Sequence, residues 1–199
     1  MSTIVTTVGT TNTGIDANGF LTNTVGVKIP ALHIGANNSE VEIVATPAEI
    51  NRTCDVSTRN VAAGAALTVT ELAHDAKHIL LDTAAGSTCT LPAATGSGDR
   101  FIFLVSTTAT SNSHIIKVAN ASDFMTGFID ILDLDGTTVS SYKGDGTADD
   151  TITMNRTTTG GFIGDWVECY DMKANLWHIR GKLTCAAGSN PADPLSATV

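Results

Sequence analysis

From Ala66 onward, short apolar or alternating runs recur about every 8–12 residues, each closed by turn-forming residues. The runs are Leu67–Thr70, His78–Leu81, Thr88–Leu91, Arg100–Val105, His114–Val118, Gly127–Leu132, Val139–Tyr142, Thr151–Asn155, Trp166–Tyr170 and Trp177–Leu183. Between them lie Thr83-Ala-Ala-Gly-Ser87, Ala93-Ala-Thr-Gly-Ser-Gly98, Asp135-Gly, Asp145-Gly and Thr157-Thr-Thr-Gly-Gly161, all turn formers. The pattern predicts an all-β, antiparallel β-sandwich or barrel-like (jelly-roll-like) domain over residues 66–199. Phe101-Ile-Phe-Leu-Val105 is apolar at every position and predicts a central strand, buried on both faces or lying between layers. Trp166-Val-Glu-Cys-Tyr-Asp171 and Leu176-Trp-His-Ile-Arg180 alternate, predicting a hairpin around Lys173-Ala-Asn175. On this reading Trp166, Trp177 and Tyr170 are core residues. No internal repeat is visible.

The N-terminal quarter differs. Over residues 1–45, Gly and Asn interrupt apolar stretches such as Val25-Gly-Val-Lys-Ile29 and Val41-Glu-Ile-Val44, which predicts an extended N-terminal arm without a core of its own, ordered by contact with a neighbour, or else a flexible tail. Thr46-Pro-Ala-Glu49 has the form of a capping box with proline at the first helical position. A short capped helix is expected from about Pro47 to about Cys54. Val61-Ala-Ala-Gly64 then reads as a small-residue hinge, so residues 46–65 link arm and β-domain.

Composition supports strands: 31 threonines and many valines suit a pleated surface, and 18 glycines suit the turns between. The net charge is −9 and the 11 basic residues are scattered, so neither a nucleic-acid backbone nor an anionic membrane is expected as a partner. Met1-Ser-Thr-Ile-Val-Thr-Thr lacks the basic and apolar regions of a secretory signal.

Candidate chemistry changes little. Cys54, Cys89, Cys169 and Cys185 form no C-x-x-C pair, and Cys89 and Cys169 sit in apolar runs as expected of buried thiols. Of His33, His74, His78, His114 and His178 only His74 and His78 have the spacing of a ligand pair, and they flank an expected turn, so no metal site is read from them. The acidic stretch Asp123, Asp130, Asp133, Asp135, Asp145, Asp149 and Asp150 lacks the alternate-residue pattern of a calcium loop and reads as solvated turns. Gly96-Ser-Gly98 lacks the frame of a strained nucleophile turn. No catalytic, cofactor-binding or metal-binding residues are expected, and the chain is not expected to be an enzyme.

Several segments carry a resemblance. Thr68-Val-Thr-Glu71, residues 78–96, Ser113-His-Ile-Ile-Lys-Val118, residues 150–160, Gly164-Asp-Trp166 and Leu195-Ser-Ala-Thr-Val199 resemble structural proteins of tailed-phage virions. Ala45-Thr-Pro-Ala-Glu-Ile-Asn51 looks like the connector that precedes β-rich heads in phage fibre and decoration modules. The resemblance covers roughly residues 46–199 and implies no catalytic residues.

It points to a non-enzymatic capsid decoration (cement) protein on the outer surface of the head. The expected partner is the major capsid protein, in the virion, after synthesis in the host cytoplasm. A homo-oligomer is expected, with a trimer favoured over a dimer because shell sites have local symmetry. The alternatives are a tail fibre or baseplate component, and a host-surface glycan-binding module using Trp166, Trp177 and Tyr170 as stacking platforms.

Overall fold

Alternation of inward and outward side chains organises the computed structural model, which describes residues 14–15, 21–22, 32–34, 41–43 and 59–199. By its contacts the chain divides into two units, Met1–Pro47 and Ala48–Val199. In the first, β1 (Gly14–Ile15) pairs antiparallel with β2 (Leu21–Thr22), and β3 (Leu32–Ile34) with β4 (Val41–Ile43). The expected helix at 47–54 and the run 25–29 lie outside the described residues.

Over its described residues, 59–199, the second unit is all-β, as expected. Its strands are β5 (Asn60–Ala62), β6 (Ala66–Thr68), β7 (His78–Leu81), β8 (Thr88–Thr90), β9 (Arg100–Val105), β10 (His114–Lys117), β11 (Phe124–Asp133), β12 (Val139–Asp145), β13 (Thr151–Met154), β14 (Trp166–Lys173), β15 (Leu176–Cys185) and β16 (Leu195–Ser196). One four-residue helix, α1 (Glu71–His74), follows β6. Every predicted run is a strand. The predicted hairpin is β14–β15, with Asn175 at φ 64 in the turn. Residues 60–62, in the stretch expected to be a hinge, form a strand instead, hydrogen-bonded to β7.

Seven strands form one sheet in the order β12-β11-β15-β14-β9-β7-β5, and five form the other, β16-β13-β10-β8-β6. Inward residues of both meet in one core, with Ile79, Phe103, Val167 and Ile179 from the larger sheet and Cys89, Ile116 and Ile152 from the smaller. The sheets are mixed, where antiparallel pairing was expected. From β5 to β10 the chain changes sheet at every strand, so β5, β7 and β9 stack in parallel, as do β6, β8 and β10. A parallel pair needs a crossover, and here the opposite sheet supplies it.

The result is a short stack of coils like a solenoid's. Asn60 lies opposite His78, 18 residues on, and His78 lies opposite Ile102, 24 residues on. Because the coils differ in length, the structural repeat leaves no fixed sequence period.

After β10 the hairpins β11–β12 and β14–β15 complete the larger sheet. There β15 runs parallel to β11 and antiparallel to β14. Gly127, at φ 129, permits this close pairing, since a Cβ there would run into the Ile179 carbonyl.

The run Phe101–Val105 is central, as expected, and of the two burials open to it takes the one against a second layer, with one face in the core. Strand β9 lies inside the sheet between β14 and β7, but only Phe101, Phe103 and Val105 enter the core; Ile102 and Leu104 are half-buried on the outer face. The uniformly apolar sequence thus supplies a core on one side and an apolar surface on the other.

Candidate functional site

The titratable and nucleophilic side chains flagged by sequence go mostly into structure. The His114 ring is buried: its Nδ1 accepts the Ser87 N–H at 3.0 Å and its Nε2 faces the Thr107 carbonyl at 2.9 Å. That pattern requires the neutral Nε2–H tautomer. Burial, partly offset by the Thr107 bond and Asp82, lowers its pKa below the ordinary histidine value. The unfolded chain therefore takes up a proton near pH 6.5 that the folded chain refuses until lower pH, so stability should fall as pH drops below about 6.5. We expect the His114 proton resonances to titrate below those of a free histidine. His114→Gln should be less stable at pH 7 and lose less on acidification, which thermal melts across pH will show.

His74 closes α1, where its Nδ1 accepts the Thr70 N–H at 2.9 Å. His78 opens β7, His178 lies on the outer face of β15, and His33 lies in β3. Burial, then Asp82, pushes the Cys89 thiol up to about 12, and burial raises Cys169 and Cys185 too, so these thiols stay protonated and unreactive. Cys54 lies outside the described residues.

Several acidic residues are buried caps, although solvated turns were expected. Asp123 accepts the Ala94 N–H at 3.0 Å and the Asn120 side-chain amide at 2.9 Å. Asp150 holds the C-terminus, accepting the N–H groups of Thr198 at 2.8 Å and Val199 at 3.1 Å. Asp145 is exposed, and bonds from the N–H groups of Thr147, Ala148 and Asp149 bring its carboxyl down to about 2. Backbone donors consume these oxygens, from the next turn for Asp145 and from distant segments for Asp123 and Asp150.

What remains is the outer face of the seven-stranded sheet. Phe128, Leu132, Val139, Tyr170 and Met172 are exposed on it, and Ile163 is exposed on the turn beside it. That is six of the nine exposed large hydrophobics among the described residues, gathered on one surface instead of scattered singly. Register sets their neighbours. One row across the sheet reads Lys143, Phe128, Arg180, Glu168, Ile102, His78; the next reads Ser141, Asp130, Lys182, Trp166, Leu104, Leu80. Arg180 donates to Glu168 at 2.9 Å.

Arg100, Lys143, Arg180 and Lys182 thus offset Asp130, Asp145 and Glu168, on a chain of net charge −9. At one end a groove of about 410 Å³ is lined by Trp166, Asp130, Lys182, Thr184 and the aliphatic Leu132, Val139 and Ile163.

The three aromatic residues expected in the core therefore part company. Trp177 is fully buried, 5.8 Å from Phe101 between ring centroids, whereas Trp166 is half-buried and Tyr170 is 40% exposed on the outer face. Alternation carried the signal: Trp166 and Tyr170 share the parity of Glu168, while Val167, Cys169 and Asp171 point inward. Comparison of the chain with protein-family models, with curated proteins and with solved structures gave no match.

Proposed function

We propose that this chain is a non-enzymatic capsid decoration protein of a tailed phage, which binds the outside of the head and stabilises the assembled shell. The division of the chain at Pro47/Ala48 supports this reading: a β-unit with its own two-sheet core follows an N-terminal unit of short ladders, as a displayed head follows an attachment arm. The resemblance of residues 46–199 to virion proteins points the same way. Bridging neighbouring copies of the major capsid protein adds contact area that exists only in the assembled lattice, so binding favours the mature shell by mass action.

Deleting residues 1–45 should abolish co-sedimentation with capsids while leaving the circular dichroism and melting transition of the β-unit in place. Undiminished capsid binding by the truncated chain would move attachment to the β-unit. Hundreds of copies per virion are expected on a head, and only a few dozen on a tail. Mass photometry of the full chain should give a homo-oligomer, with a trimer expected ahead of a dimer.

A further inference from the structure

We propose that the outer face of the seven-stranded sheet is a saccharide-binding track that follows β14 and takes a linear chain of pyranose rings. The site is separate from shell attachment and does not depend on it.

Three outward residues in sequence on β14 are Trp166, Glu168 and Tyr170. Alternate strand residues stand about 6.6–6.8 Å apart, which puts the two aromatic side chains about 13 Å apart on one line. Each aromatic has hydrogen-bonding groups beside it. Trp166 lies opposite Lys182, which lies opposite Asp130, and Thr184 joins them in the groove. Tyr170 lies opposite His178 on one side and Arg100 on the other. Between the two aromatics, Arg180 lies opposite Glu168, its side chain 58% exposed, and the bond to Glu168 uses one of its five N–H donors.

A pyranose presents an apolar C–H face and a rim of hydroxyls. The apolar face suits an aromatic ring, and the hydroxyls need donors and acceptors at the ring's edge, which Asp130, Lys182, Thr184 and Arg180 supply. Such a ligand fits better than a protein partner, because the groove is of small-ligand size and the apolar side chains alternate with charged ones. A stable protein interface has a core depleted in charged residues. It also fits better than a second copy stacked face to face, which would bury the four cations and three carboxylates of this face from both copies. Single-stranded nucleic acid also stacks on aromatics beside cations, but the chain's −9 opposes a phosphate backbone.

The test uses the full chain, titrated with maltohexaose, cellohexaose, chitohexaose, an alginate hexamer, polysaccharide extracted from bacterial envelopes, and oligothymidylate. Trp177 is buried, so Trp166 fluorescence reports occupancy. At least one saccharide should shift that emission and give a calorimetric binding isotherm. Trp166→Ala and Tyr170→Ala should each weaken binding about tenfold or more, the size of a lost stacking contact. Trp166→Phe should keep most of the affinity while losing the optical signal.

Circular dichroism and melting separate loss of binding from loss of fold, and the exposed Tyr170 is the safer position. Capsid co-sedimentation of the Tyr170→Ala variant should match wild type. Binding to no saccharide, binding to oligothymidylate alone, or unchanged affinity in both alanine variants would overturn the proposal. Loss of capsid binding in Tyr170→Ala would overturn it also, by making this face the shell contact.

Discussion

Phe103→Ala should cost the β-unit about 3–5 kcal/mol, a large share of the roughly 5–15 kcal/mol that keeps a domain folded. Phe103 is 1% exposed, and its neighbours across β9 are Val167 on β14 and Ile79 on β7, both fully buried. All three point into the layer between the sheets, so the ring's removal leaves a cavity walled by β-branched residues on well-paired strands. Such walls collapse poorly, because their χ1 angles have few alternatives and their backbones are held on both sides. The denaturation midpoint should fall steeply with little change in slope. Ile102→Ala is the matched control: one residue away, half-buried on the outer face, it should cost far less.

Asp171→Ala should be the second large loss, about 2–4 kcal/mol, for a different reason. Its carboxylate is 1% exposed and accepts five hydrogen bonds from a single loop: the N–H groups of Thr95 (3.0 Å), Gly96 (2.8 Å) and Ser97 (3.1 Å), and the hydroxyls of Thr95 (3.1 Å) and Ser97 (2.9 Å). Burial raises the carboxyl's pKa, but these donors outweigh it and the net shift is downward. Alanine leaves three backbone donors with water as their only substitute, and residues 95–97 are exposed enough for water to reach them, which limits the cost. Asp171→Asn should fall between alanine and wild type, because one oxygen receives four of the five bonds and an amide can keep that oxygen. Hydrogen exchange at residues 95–97 should accelerate in both variants, more in alanine.

The two losses act on different parts of the molecule. Phe103 belongs to the layer that joins the sheets. Asp171 ties the loop before β9 onto the β14–β15 hairpin, close to Tyr170 and so to one end of the proposed saccharide track. Asp171→Ala should therefore weaken saccharide binding as well as stability, and Phe103→Ala should weaken it only through unfolding.

The sequence alone determined that the chain from Ala66 is built of strands, and it placed all ten of the runs that became β6 to β15. Alternation and turn residues are local properties, readable wherever a strand has one wet face and ends at glycine or aspartate. It also placed the β14–β15 hairpin, whose partners are adjacent in the chain.

Tertiary structure decided what depends on residues far apart. The parallel stacking of β5, β7 and β9 arises because the chain crosses to the other sheet between them, and no local pattern records which sheet a strand will join. The same holds for burial. Phe103 and Leu104 are equally apolar in sequence, yet Phe103 lies under the opposite sheet and Leu104 on the outer face. Trp166 and Tyr170 likewise became surface residues once register set them opposite Lys182, His178 and Arg100. A period of two tells which residues share a face, and only the position of the second sheet tells which face is the inside.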